Sequence, residues 1–338
     1  MFIMPQQAFT FDDVLLVPAY NHFESRRLVE TKMTDKMGKL SIELPVISSN
    51  MDTVTGSQMA NFMGSKGGMG ALHRFMSIDE NIAEYKKSPA TTFVSVGCSE
   101  AELERAEALR DAGANYFCID VAHGHAKYVG KTLKKLRALV KDGCIMAGNV
   151  ATYAGADYLA SCGADIIKAG IGGGSVCSTR IKTGYGIPML TCISECARID
   201  RSIVADGGIR TAGDIVKALA FGADFVMIGG ILAGTEPTPG EVVIKADGTK
   251  VKKYRGMASL EAQEDFMGGM HEWKTAEGVA TEVAYRDDHE FILNDIIGGL
   301  RSGLTYAGAE NITTLQRKLD YVTVTNASRV ESLPHKIL

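Results

Sequence analysis

Short apolar runs alternate with amphipathic segments along the chain from residue 44 onwards. Each run ends in glycine or a polar residue and shows little alternation between apolar and polar positions, which is typical of strands buried on both faces of a parallel sheet. The pattern therefore predicts eight strands. They cover residues 44–50, 68–74, 92–98, 115–121, 144–150, 164–170, 202–208 and 224–230.

Helical patterns fill the intervals between these runs. Ser99 with Glu102 matches a capping box at the start of a helix, and Thr211 with Asp214 matches it more loosely. Three helices end in the segments AGAN, CGAD and FGAD, whose glycine suits the left-handed residue that follows a helix. The predicted helices cover roughly 55–66, 78–87, 99–112, 125–141, 152–162, 189–199 and 211–221.

Eight strands that alternate with helices predict an α/β fold of the (β/α)8 TIM-barrel type. We expect one catalytic domain over residues 1–338, in which residues 1–40 form a short strand or two ahead of the barrel. The alternative is a doubly wound open sheet, but the GxGxxG turn that usually follows its first strand is not in this sequence. After the eighth strand, residues of about 234–280 predict a hairpin and flap excursion with an Asp-Gly turn, and 290–308 predict a closing helix.

Composition and charge argue against a nucleic-acid-binding, membrane-spanning or disulfide-rich protein. The chain has 338 residues, 46% of them hydrophobic, and a net charge of −4, so nothing draws it as a whole to nucleic acid or to an anionic membrane. No apolar run approaches the about 18 residues of a membrane span, and no signal peptide is recognisable at the N-terminus. The seven cysteines are scattered, mostly in apolar runs and without zinc spacing, which indicates reduced thiols. These features predict a cytoplasmic protein.

The most unusual stretch is GIGGGSVCSTR, residues 170–180. Glycines at 170, 172, 173 and 174 let the backbone approach a ligand closely, and Cys177 follows within one turn. Thr179 places a hydroxyl two residues further on. An active-site loop with a cysteine nucleophile fits this combination. The plainer alternative is a tight turn beside a small core cysteine.

Polar residues and glycines follow the predicted strands at their C-terminal ends, where TIM barrels place their active sites. The set comprises Asn50, Met51, Asp52, His73, Arg74, Gly97, Asp120, His123, Gly148, Asn149, Asp206, Gly207, Gly208, Gly229 and Gly230. Single members have structural explanations, since Asp52 or Asp120 could cap a helix and His73 could be a buried core imidazole. Together they predict an active site. The glycine pairs after strands seven and eight suit a phosphate, and Asp206 suits ribose hydroxyls, so we expect a nucleotide-like substrate.

A group of long motifs in a fixed order resembles the family that contains inosine-monophosphate dehydrogenase and GMP reductase. The motifs are FTFDDVLLVP (9–18), NMDTV (50–54), DVAHGH (120–125), AGNVAT (147–152), GIGGGSVCSTR (170–180), ADGGIRTAGDI (205–215), YRGMAS (254–259) and GGLRSGLTYAG (298–308). The resemblance covers nearly the whole chain. It implies a barrel assembled as a homotetramer, with purine-nucleotide chemistry at C2 of the base and hydride exchange with a nicotinamide.

The segment between Met257 and Glu277 favours the reductase branch. The dehydrogenase has a longer flap there, with an Arg-Tyr pair that activates water, and this chain has neither residue type in the segment. Its MGGMHEWKTAEG is similar to the reductase's shorter version, and Arg74 runs into the next helix without a regulatory insert. The motifs AHGH, GTEPTPGE and ESLPH are closer to the dehydrogenase. We expect a GMP reductase; the alternatives are a dehydrogenase without its regulatory domain and a non-catalytic nucleotide sensor.

The resemblance also implies roles for residues. Cys177 would attack C2 of GMP, with Thr179 and Glu277 serving the departure of ammonia and NADPH providing hydride. For GMP or IMP it implies Ser175, Asp206, Gly207, Gly208, Gly229, Gly230, Tyr254, Gly256, Met257, Ser259, Lys274 and Gly278. For NADPH it implies Ser25, Arg26, Arg74, Asp120, Val121, Ala122 and Gly172, and for a potassium ion Gly172, Gly174, Cys177 and Arg180. Three positions depart from the family: Gly173 replaces a proline, Ser178 a threonine and Lys274 an arginine.

Overall fold

Eight parallel strands close into a barrel in the computed structural model, which describes residues 7–269 and 272–334. We number these barrel strands one to eight in chain order. Neighbours in the chain are neighbours in the barrel, and strand eight closes the ring on strand one, with Val226 beside Val46. The TIM-barrel prediction is confirmed and the open sheet is wrong. The strands are Val46–Ser48, Met69–Leu72, Phe93–Val96, Tyr116–Asp120, Cys144–Val150, Ile166–Ala169, Ser202–Asp206 and Phe225–Ile228.

Burial explains why the strands could be recognised. Nearly every residue of the eight strands is buried, because side chains fill the barrel interior on one face and helices cover the other. Phe93, Phe117 and Phe225 are among the largest fully buried side chains. A strand with no exposed face carries a continuous apolar run, and each predicted run contains one observed strand.

Helices follow the strands as predicted, with ends shifted by up to three residues. Thr211 and Asp214 form a complete capping box. The box predicted for Ser99 and Glu102 is only half correct: the Ser99 hydroxyl accepts the Glu102 N–H, but the Glu102 carboxylate accepts the N–H of Gly97 instead. The main helices are Ser57–Ser65, Ile78–Lys87, Glu100–Asp111, Lys127–Val140, Tyr153–Ser161, Met189–Cys196, Ala212–Ala220 and the closing helix His289–Tyr306.

Short elements complete the described part of the chain. Strand Val14–Leu16 pairs with Tyr321–Thr323, and Met33–Thr34 pairs with Ser41–Ile42. Short helices are Phe11–Asp13 and Arg26–Leu28, both of the 3-10 type, and Thr179–Thr183, Leu260–Met267, Ile312–Arg317 and Asn326–Glu331. Within the described residues, no helix is both long and apolar enough to cross a membrane.

The excursion after barrel strand eight is a three-stranded antiparallel sheet. Strands Val243–Ile244 and Lys250–Arg255 form the predicted hairpin, turning at Asp247 and Gly248. A third strand, Ala280–Ala284, pairs with Lys250–Arg255 and was not expected. This strand brings the end of the flap back to the mouth of the barrel.

The closing helix packs on helix Ala212–Ala220 through two glycines. A Cβ atom on Gly299 would lie 2.4 Å from the Cβ of Ala212, and one on Gly303 would lie 2.6 Å from the methyl groups of Val216. Neither neighbour has a flexible end that could move away. Glycine therefore sets the distance between the two helices.

We predict that Gly303→Ala lowers the free energy of unfolding by about 1–3 kcal/mol, because the added methyl group overpacks this contact. Gly298 provides the matched control: it lies on the same helix, and nothing is within 4 Å of a Cβ placed there. Gly298→Ala should raise the free energy of unfolding by up to about 1 kcal/mol through helix propensity. Denaturant titration of both variants measures the difference, and equal effects would contradict the packing explanation.

Candidate active site

A cavity of about 1040 Å³ opens at the C-terminal ends of the barrel strands. Most of the residues that the sequence singled out line it, although they come from seven separate stretches of chain. The lining includes Arg74, Asp120, Val121, Ala122, Gly172, Gly174, Ser175, Cys177, Thr179, Asp206, Gly207, Gly208, Gly229, Gly230, Tyr254, Gly256, Met257, Glu277 and Gly278. Five predicted site residues are not part of this lining, as far as the described part of the chain shows. They are Ser25, Arg26, Arg180, Ser259 and Lys274.

The cysteine loop lies against the loop that follows barrel strand seven. Gly170 has a φ of +145°, and a Cβ there would lie 2.0 Å from the carbonyl oxygen of Asp206. Gly207 has a φ of +106°, and a Cβ there would lie 3.0 Å from the nitrogen of Gly174. Both contacts require glycine, because they combine a left-handed backbone with a close approach. The two loops consequently form one continuous wall of the cavity.

Backbone hydrogen bonds join the cysteine loop to the end of the flap. The N–H of Ser178 donates to the carbonyl of Glu277 at 2.8 Å, and the N–H of Val279 donates to the carbonyl of Val176 at 2.9 Å. The N–H of Glu277 donates to the carbonyl of Ala258 at 3.1 Å. The first two bonds hold positions about 100 residues apart in sequence side by side, because a short ladder pairs backbone independently of side chains.

Cys177 lies next to a hydroxyl in this arrangement. Its half-buried thiol donates to Thr179 Oγ1 at 3.2 Å, and Glu277 lines the same cavity from the flap. A sulfur nucleophile, a hydroxyl and a carboxyl group therefore face one space. Such a set can form a covalent bond to a ligand and move protons beside it.

Glycines and hydroxyls form a further part of the cavity lining. Ser175 and Tyr254 share a hydrogen bond of 2.8 Å between their hydroxyl oxygens. A Cβ on Gly230 would lie 3.1 Å from the Ser175 hydroxyl, so only glycine leaves this surface open. Backbone N–H groups that lack a covering side chain suit an anionic group such as a phosphate.

A buried lysine that sequence analysis missed lies between two cavity carboxylates. Lys168, on barrel strand six, donates to Asp120 at 2.7 Å and to Asp206 at 2.9 Å. The side-chain amide of Asn149 also donates to Asp206, at 2.8 Å. Lys168 lies within an apolar run. The lysine itself could have revealed this site. A strand that is buried on both faces tolerates a charged side chain only where an oppositely charged group pairs with that side chain.

Arg255 anchors the start of the flap, and this residue too was missed. Its guanidinium donates to Asp52 at 2.6 and 2.9 Å and to Asp265 at 2.5 Å. Asp52 follows barrel strand one, and Asp265 belongs to the helix Leu260–Met267. The role of Asp52 is therefore structural: it ties the flap to the barrel.

The remaining predicted residues have other positions. Ser259 is buried and caps helix Leu260–Met267, with its hydroxyl accepting the N–H of Ala262. Lys274 is exposed, with its ammonium 5.1 Å from the ring of Trp273. Ser25 caps the turn Arg26–Leu28 on the outer surface, and the Arg180 guanidinium donates to the carbonyl of Ile187 at 2.7 Å. Residues 270 and 271 of the flap lie outside the described residues.

Comparison with known proteins identifies the family. A family model described as the IMP dehydrogenase / GMP reductase domain matches residues 8–335. The chain belongs to this family. Assignment of the family on its sequence motifs is thereby confirmed.

Relatives from both branches are similar to the chain. A GMP reductase of Aliivibrio salmonicida is 38% identical over 93% of this chain and 94% of its own length. A crystal structure of inosine 5' monophosphate dehydrogenase from Legionella pneumophila is 76% identical, with a TM-score of 0.88, covering 95% of this chain and 99% of that one. A crystal structure of a GMP reductase variant from Trypanosoma brucei, in complex with guanosine 5'-monophosphate, is 27% identical with a TM-score of 0.91 and 99% coverage of both chains.

His73 follows barrel strand two but is a core residue, as its plainer interpretation held. It is buried, and its Nδ1 accepts the N–H of Phe75 at 3.2 Å. Burial lowers the pKa of His73 to about 4, because the charged imidazolium loses its hydration. Protonation would also remove the Nδ1 acceptor.

We predict a pH-dependent loss of stability from His73. Between the unfolded pKa of 6.5 and the folded pKa of about 4, only the unfolded chain binds this proton. The contribution of neutral His73 to the free energy of unfolding is therefore complete above pH 6.5. It decreases by about 3 kcal/mol as the pH falls to about 4. In His73→Asn the amide oxygen replaces the Nδ1 acceptor and does not titrate, so unfolding free energies should show a shallower slope. The exposed His22→Asn serves as the control and should keep the wild-type slope.

Proposed function

We propose that the chain is a GMP reductase, which converts GMP, with NADPH, into IMP and ammonia through a covalent bond between Cys177 and C2 of the purine. The observation that carries this proposal is the flap from Met257 to Glu277. It contains neither arginine nor tyrosine, so it has no water-activating pair of the kind the dehydrogenase uses. It is also held at both ends, by Arg255 at its start and by the backbone bonds of Glu277 at its end.

Contacts in the middle of the flap dock it against the loop after barrel strand two. Phe266 of helix Leu260–Met267 packs edge-on against Phe75, with ring centroids 5.5 Å apart. The Arg255 guanidinium lies 5.5 Å from the Phe266 ring. A flap docked in this way leaves the thiol side of the cavity lined by Thr179 and Glu277. Exclusion of activated water protects a covalent intermediate from hydrolysis to XMP.

The chemistry follows from the three groups around the thiol. Cys177 sulfur adds to C2 of GMP, and the bond from C2 to the exocyclic amine breaks. The thiol proton leaves with the amine, as ammonia, through the Thr179 hydroxyl and the Glu277 carboxylate, because an unprotonated amide is a poor leaving group. When bound, NADPH supplies the hydride that C2 receives. The carbon–sulfur bond then breaks, releasing IMP and returning Cys177 as a thiolate.

The cavity suits a nucleotide beside a nicotinamide. Its volume of about 1040 Å³ reaches the upper end of the usual range for ligand sites, about 300–1,000 Å³. Ser175, Tyr254 and the glycine pairs would hold phosphate and ribose. Asp120, Val121 and Ala122, which line the same cavity, would hold the nicotinamide. The solved complex of the trypanosomal reductase with guanosine 5'-monophosphate supports a purine nucleotide as substrate.

The donor set of the cysteine loop suits a potassium ion. Among the described residues, no backbone N–H donates to the carbonyls of Gly172 and Cys177. The carbonyls of Gly174 and Arg180 each accept one backbone N–H and keep a second lone pair. A ring of backbone carbonyls is a suitable ligand set for a monovalent cation. These four residues would hold the ion, which would stiffen the loop that carries the nucleophile. A homotetramer remains a prediction from the resemblance, and a cytoplasmic location remains a prediction from the composition.

The second candidate function is that of an IMP dehydrogenase without a regulatory domain, which converts IMP and NAD to XMP. The Legionella structure, 76% identical and described as this dehydrogenase, favours it. The composition of the flap is the counterargument, because the water that forms XMP needs a base. A nucleotide sensor without catalysis is the third possibility.

Two reaction mixtures test the proposal. GMP with NADPH should oxidise the cofactor and release one ammonia per turnover, whereas IMP with NAD should yield no XMP. Cys177→Ala should abolish turnover yet bind GMP within a few-fold of the wild-type affinity in calorimetry. Formation of XMP would contradict the reductase proposal and support the dehydrogenase. If the wild type binds GMP without turnover, the nucleotide sensor is the candidate function that remains.

Glu277→Gln tests proton transfer separately from binding. The amide cannot carry the proton, so kcat should fall by about 10²–10⁴-fold. The dissociation constant for GMP should stay within a few-fold of the wild type. The matched control is Glu272→Gln, an exposed carboxylate of the same flap, which should keep wild-type kcat. If both variants lose kcat equally, the loss comes from the change in the net charge of the flap, and Glu277 is not a specific proton carrier.

A further inference from the structure

Lys168 is a cation enclosed within the barrel. Its side chain is 3% exposed, and its ammonium contacts Asp120 at 2.7 Å and Asp206 at 2.9 Å. Those carboxylates end barrel strands four and seven, so the lysine connects two strands that are not neighbours in the barrel. A buried ammonium is retained only where its desolvation is offset by such partners.

The bonds around Asp206 fix its orientation. Lys168 and the Asn149 amide both donate to Oδ2, and the same amide donates to the carbonyl of Gly170 at 2.7 Å. Oδ1 of Asp206 receives no hydrogen bond within the described ranges, 7–269 and 272–334. Since Asp206 lines the cavity, this oxygen is available to a ligand hydroxyl.

We infer that Lys168 is a positioning residue that holds Asp206 toward the ribose and Asp120 toward the nicotinamide through a single ammonium group. The inference rests on the proposed function for what each carboxylate contacts. It predicts that one residue controls the apparent affinity for both ligands. Lys168 acts through the two carboxylates and is not itself a reacting group.

The surroundings of Lys168 define its electrostatics. Besides Asp120 and Asp206, the titratable group that faces it is the thiol of Cys118 on barrel strand four, and Arg74 faces Asp120 from the loop after strand two. Burial raises the pKa of Cys118 to about 12, so this thiol is neutral at physiological pH. Burial is the largest single effect on Asp120 and raises its pKa, but attraction to Lys168, the hydrogen bond from Lys168 and the smaller effects of Arg74 and Asn50 together outweigh burial, so the pKa lies below its usual value. Removing the ammonium leaves only the smaller effects of Arg74 and Asn50 to oppose burial.

Lys168→Met should therefore shift the acid limb of the pH profile of kcat/KM to higher pH. At neutral pH we expect kcat/KM to fall by about 100-fold, with KM rising for both GMP and NADPH, because two ligand-orienting carboxylates lose their fixed position. Lys168→Arg keeps the charge and should leave the acid limb in place, with a smaller loss of kcat/KM. Should Lys168→Met not fold, the same comparison is made between Lys168→Arg and Lys168→Gln.

Lys252 provides a matched control. It is also 3% exposed, but its ammonium donates to the carbonyls of Thr235, Glu236 and Thr238 under the hairpin and does not line the cavity. Lys252→Met should lower stability without shifting the acid limb or either KM. Wild-type pH dependence in a folded Lys168→Met, or an equal shift in Lys252→Met, would overturn the inference.

Equilibrium binding separates this inference from the proposed function. GMP and IMP titrations of wild type and Lys168→Met require no turnover, and kinetics are measured in whichever direction the wild type reacts. If the wild type forms XMP, the proposed function fails, while a loss of nucleotide affinity on Lys168→Met still supports the positioning role. If the wild type reduces GMP and Lys168→Met binds and reacts as the wild type does, only the positioning role fails.

Discussion

The candidate active site depends on a short backbone ladder between the cysteine loop and the returning end of the flap. Val176 and Ser178 flank Cys177, and their partners Val279 and Glu277 include the flap's only cavity-lining carboxylate among the described residues. Backbone pairing fixes the distance between the two strands without specifying side chains. The backbone pairing therefore holds Cys177 and Glu277 at a fixed distance from each other, although each belongs to a different part of the fold.

Two buried cations join other elements of the fold. Arg255 connects the loop after barrel strand one to the flap, and Lys168 connects the ends of strands four and seven. Each cation is nearly inaccessible to water, so each must keep its carboxylate partners or carry an uncompensated charge. Both cations therefore fix the positions of the elements that carry their carboxylate partners.

The sequence predicted the barrel because strands buried on both faces are continuous apolar runs, and because glycines ended three of the helices. It did not predict Ala280–Ala284, whose residues are largely exposed and whose strand exists only by pairing with the hairpin. The loop around Cys177 could be identified from its glycines, whereas Lys168 was hidden inside an apolar run. The pair of Asp52 and Arg255 spans 203 positions, and no local pattern marks a contact at that separation.

The pairing of Val14–Leu16 with Tyr321–Thr323 has a consequence for biosynthesis. Tyr321–Thr323 is synthesised after all eight barrel strands, so Val14–Leu16 waits with its backbone unpaired while the entire barrel is made. Unpaired strand edges invite association with other chains. Closing a loop of this length is also costly in entropy, which places this two-stranded sheet late in folding. Pairing of these two strands therefore follows synthesis of the whole barrel, which lies between them in the sequence.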